Sequence, residues 1–133
     1  MKPEVTIISD DCRIEVGNKV SLSGIYDDAI IFRTLPARLL KLSFYQRWTE
    51  LPITEKVTIS IRGSALGDQE FRVEAKPSAP PKKQNKVRIV ILLGPILFMT
   101  AGTLEFHTFL DDQSEPLYSH QLSIRTDPDL KLL

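Results

Sequence analysis

The stretch EKVTISIRGSALGDQEFRVEAK, residues 55–76, decides the fold. Val57, Ile59 and Ile61 alternate with Lys56, Thr58, Ser60 and Arg62; Phe71, Val73 and Ala75 alternate with Glu70, Arg72, Glu74 and Lys76. Period-two alternation is the pattern of a half-buried strand, because successive side chains leave opposite faces. Between the runs lies Gly63-Ser64-Ala65-Leu66-Gly67-Asp68, which suits a hairpin loop. Folding the stretch about that loop sets Ile61 against Phe71, Ile59 against Val73 and Val57 against Ala75. The other face then pairs Arg62 with Glu70 and leaves Lys56 facing Lys76. Apolar against apolar along the whole pair is what one register demands, since a one-residue slip would turn every side chain over.

The same pattern spreads outward. Val87, Ile89, Ile91 and Leu93 share a phase, as do Leu104, Phe106 and Leu110, and Tyr118, Leu122 and Ile124. A turn at residues 111–116 predicts a last hairpin with Leu110 opposite Tyr118, Phe106 opposite Leu122 and Leu104 opposite Ile124. Near the start, a turn at Gly17-Asn18-Lys19 pairs Val16 with Val20 and Ile14 with Leu22, and places Cys12 opposite Gly24 as a small buried hydrophobe. Residues 35–50, LPARLLKLSFYQRWTE, fit a helix with Leu39, Leu42 and Tyr45 on one side. They also alternate, with Leu40, Leu42 and Phe44 inward. The strand reading is preferred because no N-cap precedes the segment. A short turn at residues 36–38 introduces it, 77–85 reads as a loop, and GPILFMTAG at 94–102 crosses between sheets. The outcome is an all-β, single-domain antiparallel β-sandwich of about eight strands.

Composition narrows the function. The chain has 133 residues, a one-domain length, with 17 basic and 17 acidic side chains. A net charge of zero gives no general attraction to phosphate backbones, so no nucleic-acid partner is expected. One cysteine cannot form an internal disulfide. The opening MKPEVTIISDD has too short an apolar run for a signal peptide. The longest apolar run, residues 90–99, is far below the ~20 residues of a membrane helix. A cytoplasmic protein without membrane contact is expected.

His107 and His120 fall on opposite phases of one hairpin and cannot share an ion; His120 is expected in the core, hydrogen-bonded near Thr108. The acidic pairs Asp10, Asp11 and Asp27, Asp28, brought near each other by the first hairpin, could supply oxygens to calcium, although aspartate is also a common turn residue. Catalysis has no G-x-S-x-G or Gly-rich phosphate motif behind it. The outward phases carry Lys41, Tyr45, Arg47, Arg62, Arg72 and Arg88, and Arg and Tyr are favoured at interface hot spots. Glu70 and Glu74 could equally make this an ordinary solvated face. Residues 92–99 hold more apolar side chains than one alternating strand buries, which suggests either a covering sheet or a contact with another subunit. The tail, residues 127–133, docks on a neighbour or frays.

CRIEVGNKVSLSGIYDD, residues 12–28, followed by LPARLLKLSFYQRW, residues 35–48, resembles an uncharacterised family of small bacterial and phage β-rich proteins. The likeness lies in an acidic-Cys pair, Arg-x-Glu, Gly-x-Lys and Ser-Leu-x-Gly-x-Tyr, and covers the first half of the chain. It implies a phage- or prophage-linked accessory role and no catalytic residues.

The sequence thus predicts a non-enzymatic protein-interaction or structural accessory module without a cofactor. It engages a protein partner, or a second copy of itself, through Lys41, Tyr45, Arg47, Arg62, Arg72 and Arg88 or through residues 92–99. The alternative is a small-ligand or calcium-binding β domain using Asp10, Asp11, Asp27 and Asp28.

Overall fold

The computed structural model describes residues 2–17, 19–49, 56–75 and 87–130. They form eleven strands and a single 3-10 turn at Ser64–Leu66, with no α-helix among them. The strands are β1 (Val5–Glu15), β2 (Lys19–Tyr26), β3 (Ala29–Phe32), β4 (Ala37–Leu39), β5 (Leu42–Trp48), β6 (Val57–Arg62), β7 (Phe71–Ala75), β8 (Val87–Leu93), β9 (Ile96–Phe98), β10 (Gly102–Leu110) and β11 (Tyr118–Thr126). Three open sheets result: β2-β1-β5-β8, β3-β11-β10-β6-β7, and the small pair β4-β9. The protein is all-β. The eleven described strands exceed the eight expected, and one pairing, β3 with β11, is parallel rather than antiparallel.

The two larger sheets contribute to one buried cluster. Ile8, Phe44, Trp48, Ile89 and Ile91 come from the first; Ile30, Val57, Ile59, Ile61, Leu104, Phe106, Leu122 and Ile124 come from the second. Phe44 stacks on Phe106 across the gap at 5.4 Å between ring centroids, and Trp48 meets Tyr118 edge-on at 6.5 Å. Burial of such aromatics removes large apolar areas from water and dominates core energetics. The β4-β9 pair closes one side through Ile96 and Phe98, both fully buried, with Phe98 5.3 Å from Phe32. The chain therefore crosses between sheets in the nineties, as the sequence suggested. At the sharp step before β9, Gly94 has a φ of 156°, and a Cβ there would run into the Leu40 carbonyl.

The β6–β7 hairpin has the predicted register: Val57 opposite Ala75, Ile59 opposite Val73, Ile61 opposite Phe71. Arg62 reaches Glu70 at 4.0 Å. Lys76 lies outside the described residues, as does the predicted 77–85 loop. Residues 42–48 form a strand, as preferred, but Ala37–Leu39 is also a strand rather than a turn, and Leu40 is exposed rather than buried.

Two hairpins differ from expectation by two residues. In β1–β2, Glu15 faces Lys19, Ile14 faces Val20, and Cys12 faces Leu22 instead of Gly24. The turn centres on Gly17, whose φ of 90° suits a residue without a side chain. Cys12 is buried as expected, and burial pushes its thiol pKa up. Ile14 and Val16, expected to pack inward, are 68% and 95% exposed because the hairpin tip extends beyond the core. In β10–β11, Tyr118 faces Thr108, His120 faces Phe106, and Leu122 faces Leu104. The end of β10 pairs with β6 instead, Leu110 opposite Val57. Leu117 then closes the β10–β11 hairpin by donating its N–H to the Thr108 carbonyl at 2.7 Å. Pro116, lacking an N–H, cannot continue the ladder. A shift of two leaves every side chain on its predicted face.

Gln46 and Thr108 bring polar side chains into this core. Gln46 shares the inward phase of Leu42, Phe44 and Trp48 and is 1% exposed. Its Oε1 accepts from Trp48 Nε1 at 2.8 Å and from Thr108 Oγ1 at 3.0 Å, while its Nε2 donates to Thr6 Oγ1 at 3.1 Å. The amide thus ties β1 and β5 of one sheet to β10 of the other.

Replacing Gln46 with Leu strands the Trp48 N–H and the Thr108 hydroxyl, and is expected to cost about 2–4 kcal/mol in urea unfolding. Thr108→Val should cost less in the Gln46→Leu background than in the wild type, because the Thr108 hydroxyl has already lost its acceptor there, while the Trp48 N–H stays unpaired in both. Equal costs in the two backgrounds would mean the two sheets are not coupled through this amide.

Candidate functional site

The six basic and aromatic residues proposed as one face lie on two sheets with the core between them. Lys41, just before β5, Tyr45 and Arg47 on β5, and Arg88 on β8 belong to the four-stranded sheet; Arg62 on β6 and Arg72 on β7 belong to the five-stranded sheet. The single Arg and Tyr face expected from alternation is therefore not one surface. Tyr45 is only 5% exposed, flanked on its central strand by its cross-strand neighbours Ile7 and Val90. Arg47 pairs with Glu4 at 3.0 Å, which raises the guanidinium pKa, and stands directly opposite Arg88. On the other sheet, Arg72 lies 3.7 Å from Glu70 and 5.8 Å from the centre of the Phe109 ring. Glu70 also accepts from the buried Ser60 hydroxyl at 2.8 Å. These exposed ion pairs contribute little individually, but they commit much of the charge within the chain.

The aspartates do not converge either. Asp10 accepts from the Tyr26 hydroxyl and lies against Gly24, where the φ of 68° and the nearby carboxylate leave no room for a side chain. Burial, then the Asp10 hydrogen bond, push the Tyr26 phenol well above its ordinary pKa. Asp11, its chain neighbour, binds Lys41 and Arg13 instead. Those two cations hold its carboxyl below the ordinary carboxylate value, Lys41 more strongly. Asp27 and Asp28 occupy the exposed bend after β2. No group of three His, Cys, Asp or Glu residues suited to a metal ion occurs among the described residues.

The histidines lie on opposite faces of the β10–β11 pair, but their surroundings differ from those predicted. His120 is opposite Phe106, while the Thr108 hydroxyl goes to Gln46 rather than to a histidine. Burial alone lowers the His120 pKa. His107, on the outward phase, is nevertheless nearly buried. Its Nδ1 lies 2.7 Å from Ser119 Oγ and its Nε2 lies 3.1 Å from Glu105 Oε1. With the Nε2 proton on the Glu105 side, Nδ1 is the acceptor for the Ser119 hydroxyl. The sequence reading missed this network because Ser119 reaches His107 only in the observed register. The clue was His107 and Glu105 two residues apart, on one strand face.

Apolar exposure is the other feature. Within residues 92–99, Ile96 and Phe98 are in the core, whereas Leu92, Leu97 and Met99 are 53%, 39% and 42% exposed. Leu97 is held in place from the side: its carbonyl accepts from Gln69 Nε2 at 2.9 Å, and the Met99 N–H bonds the Ala65 carbonyl at 2.8 Å. The second exposed group is the β1–β2 hairpin, with Ile14, Val16 and Ile25. The C-terminal segment docks within its own chain up to Leu130, whose carbonyl accepts from Arg33 Nε at 2.8 Å.

No family model matches the chain, and no curated protein is significantly similar to it. No helix among the described residues is long and apolar enough to cross a membrane.

Two titrations check these environments. The His120 imidazole should titrate below 6.5 by NMR. A histidine held neutral stabilises the fold fully above its unfolded pKa of about 6.5, and that contribution fades as pH falls toward the folded value. His120→Leu should therefore flatten part of the acid limb of a stability profile. Tyr26 behaves in the opposite sense. Its contribution is complete below the unfolded tyrosine pKa of about 10 and is lost as pH rises toward the higher folded value. Tyr26→Phe should cost about 1 kcal/mol at pH 7 and soften the alkaline limb.

Proposed function

We propose that the protein is a non-enzymatic protein-interaction or structural accessory module, built as one β-sandwich domain and linked to a phage or prophage. The observation that carries this reading is the segment 92–99, which anchors itself with Ile96 and Phe98 and turns Leu92, Leu97 and Met99 outward. Large apolar side chains held outward on ordered backbone mark contact surfaces more often than isolated exposed residues do. The anchoring also lowers the cost of binding, because little backbone remains to be ordered when a partner arrives. A protein with a complementary apolar surface is the partner this chemistry fits. The phage or prophage link rests on the resemblance of residues 12–28 and 35–48 alone.

The test is quantitative affinity capture from cells that express the protein, comparing the wild type with Leu97→Asp/Met99→Asp. Both side chains are exposed, so the variant should melt within a few degrees of the wild type. Its recovery of the specific partner should fall by about tenfold or more, the effect of losing roughly 1.4 kcal/mol or more of contact energy. Undiminished recovery, with the variant shown to be folded, would remove this segment as the contact surface.

A further inference from the structure

β2 is an edge strand of the four-stranded sheet, with β1 on one side and no neighbour on the other among the described residues. At eight residues it is the longest of the four edge strands of the two larger sheets. Edges are normally protected by brevity or by charge. β3 has only four residues, β8 carries Arg88, and β7 carries Arg72 and Glu74. The charges on β7 are already paired within the chain, Arg72 with Glu70 and Glu74 with Lys56. From Val20 to Tyr26 β2 contains no charge, and its one irregularity is at Gly24, whose φ is 68° and which makes no ladder pair with Asp10. Its charges stand at the two ends, Lys19 at its start and Asp27 just beyond its last residue. Both are exposed, and neither has an ion-pair partner among the described residues.

We propose that β2 pairs antiparallel with β2 of a second copy of this chain, about a two-fold axis at Ser23, joining two four-stranded sheets into one. Charge complementarity selects both the occupant and the register. With Ser23 facing itself, each Lys19 faces the partner's Asp27, so both ends of the ladder carry opposite charges. Val20 faces the partner's Tyr26, and Ser21 the partner's Ile25. Leu22 covers the partner's Gly24, a position that has no side chain of its own. A shift by one residue would bring Lys19 to the partner's Tyr26 or Asp28, and in the latter case would set Val20 against the partner's Asp27. The contact is isologous, as a two-fold dimer requires. Ile14, Val16 and Ile25, all exposed in the β1–β2 hairpin, lie on the arm that would run alongside the second copy.

Sedimentation of the full chain at low ionic strength, where screening is weakest, tests the contact. The wild type should dimerise. Lys19→Glu and Asp27→Lys should each weaken the dimer by about tenfold, through like charges at both ends. The double variant Lys19→Glu/Asp27→Lys should return to within about threefold of the wild type, because the swap restores each pair. A second readout is specific to the register. In a Cys12→Ala background, Ser23→Cys places two thiols at the axis, within the ~4.4–6.8 Å Cα separation a disulfide needs. Oxidised glutathione should link that dimer readily and should not link the Ser21→Cys control. A wild type that stays monomeric up to about 1 mM would overturn the proposal. So would a dimer indifferent to the charge swap, or one that links through position 21 instead of 23.

Discussion

The Gln46 amide is the constraint on which the two layers depend. Apolar packing alone would let the sheets slide, because dispersion contacts between Phe44 and Phe106 have no strict register. Gln46 removes that freedom. Its oxygen is shared between Trp48, two residues along its own strand, and Thr108 on the facing sheet, while its nitrogen reaches Thr6 on β1. Each donor and acceptor is buried or nearly so, and a buried polar group left unpaired costs more than a satisfied one contributes. Of the three bonds, only the one from Thr108 crosses between the sheets; the bonds to Trp48 and Thr6 hold the amide in the orientation that receives it. The aromatic contacts at 5.4 Å and 6.5 Å on either side of the amide then supply the bulk of the stabilisation within a geometry that the hydrogen bonds select.

That arrangement also explains the division of labour on the surface. β5 is central in its sheet, so Tyr45 is covered by its neighbours on β1 and β8 although it lies on the phase away from Phe44. Several charged side chains are engaged in pairs within the chain, among them Asp11 with Lys41, Arg47 with Glu4 and Arg72 with Glu70. Exposed apolar groups stand out beside them: Leu92, Leu97 and Met99 around the small β4-β9 pair, and Ile14, Val16 and Ile25 in the β1–β2 hairpin. On the proposed reading, one of these regions would meet a protein partner and the other a second copy of the chain.

What could be read from the sequence followed the locality of the signal. The β6–β7 register was legible because a short loop bounded by Gly63 and Gly67 joins two runs of matched phase. The β1–β2 and β10–β11 hairpins kept their predicted faces but moved by two residues, since alternation fixes only odd against even. The exact offset depends on where Gly17 takes its positive φ and on the end of β10 pairing with β6. The Ser119–His107–Glu105 network was hidden for the same reason: it exists in one register and not in the next. Gln46 was legible in principle, as a polar residue on an apolar phase, but its partner Thr108 lies 62 positions away.

The amino-acid sequence by itself determined the all-β class, the strand character of residues 42–48, the burial of Cys12 and the inward and outward faces of the main hairpins. These follow from side-chain alternation and turn residues, which act within a few positions along the chain. The tertiary structure alone decided that Lys41, Tyr45, Arg47 and Arg88 lie on a different sheet from Arg62 and Arg72, that Tyr45 is covered, that β3 runs parallel to β11, and that β2 is left at an edge. Those outcomes depend on which strands become neighbours. Neighbour choice is set by packing across the core and by closing long loops, and no local pattern of residues encodes it.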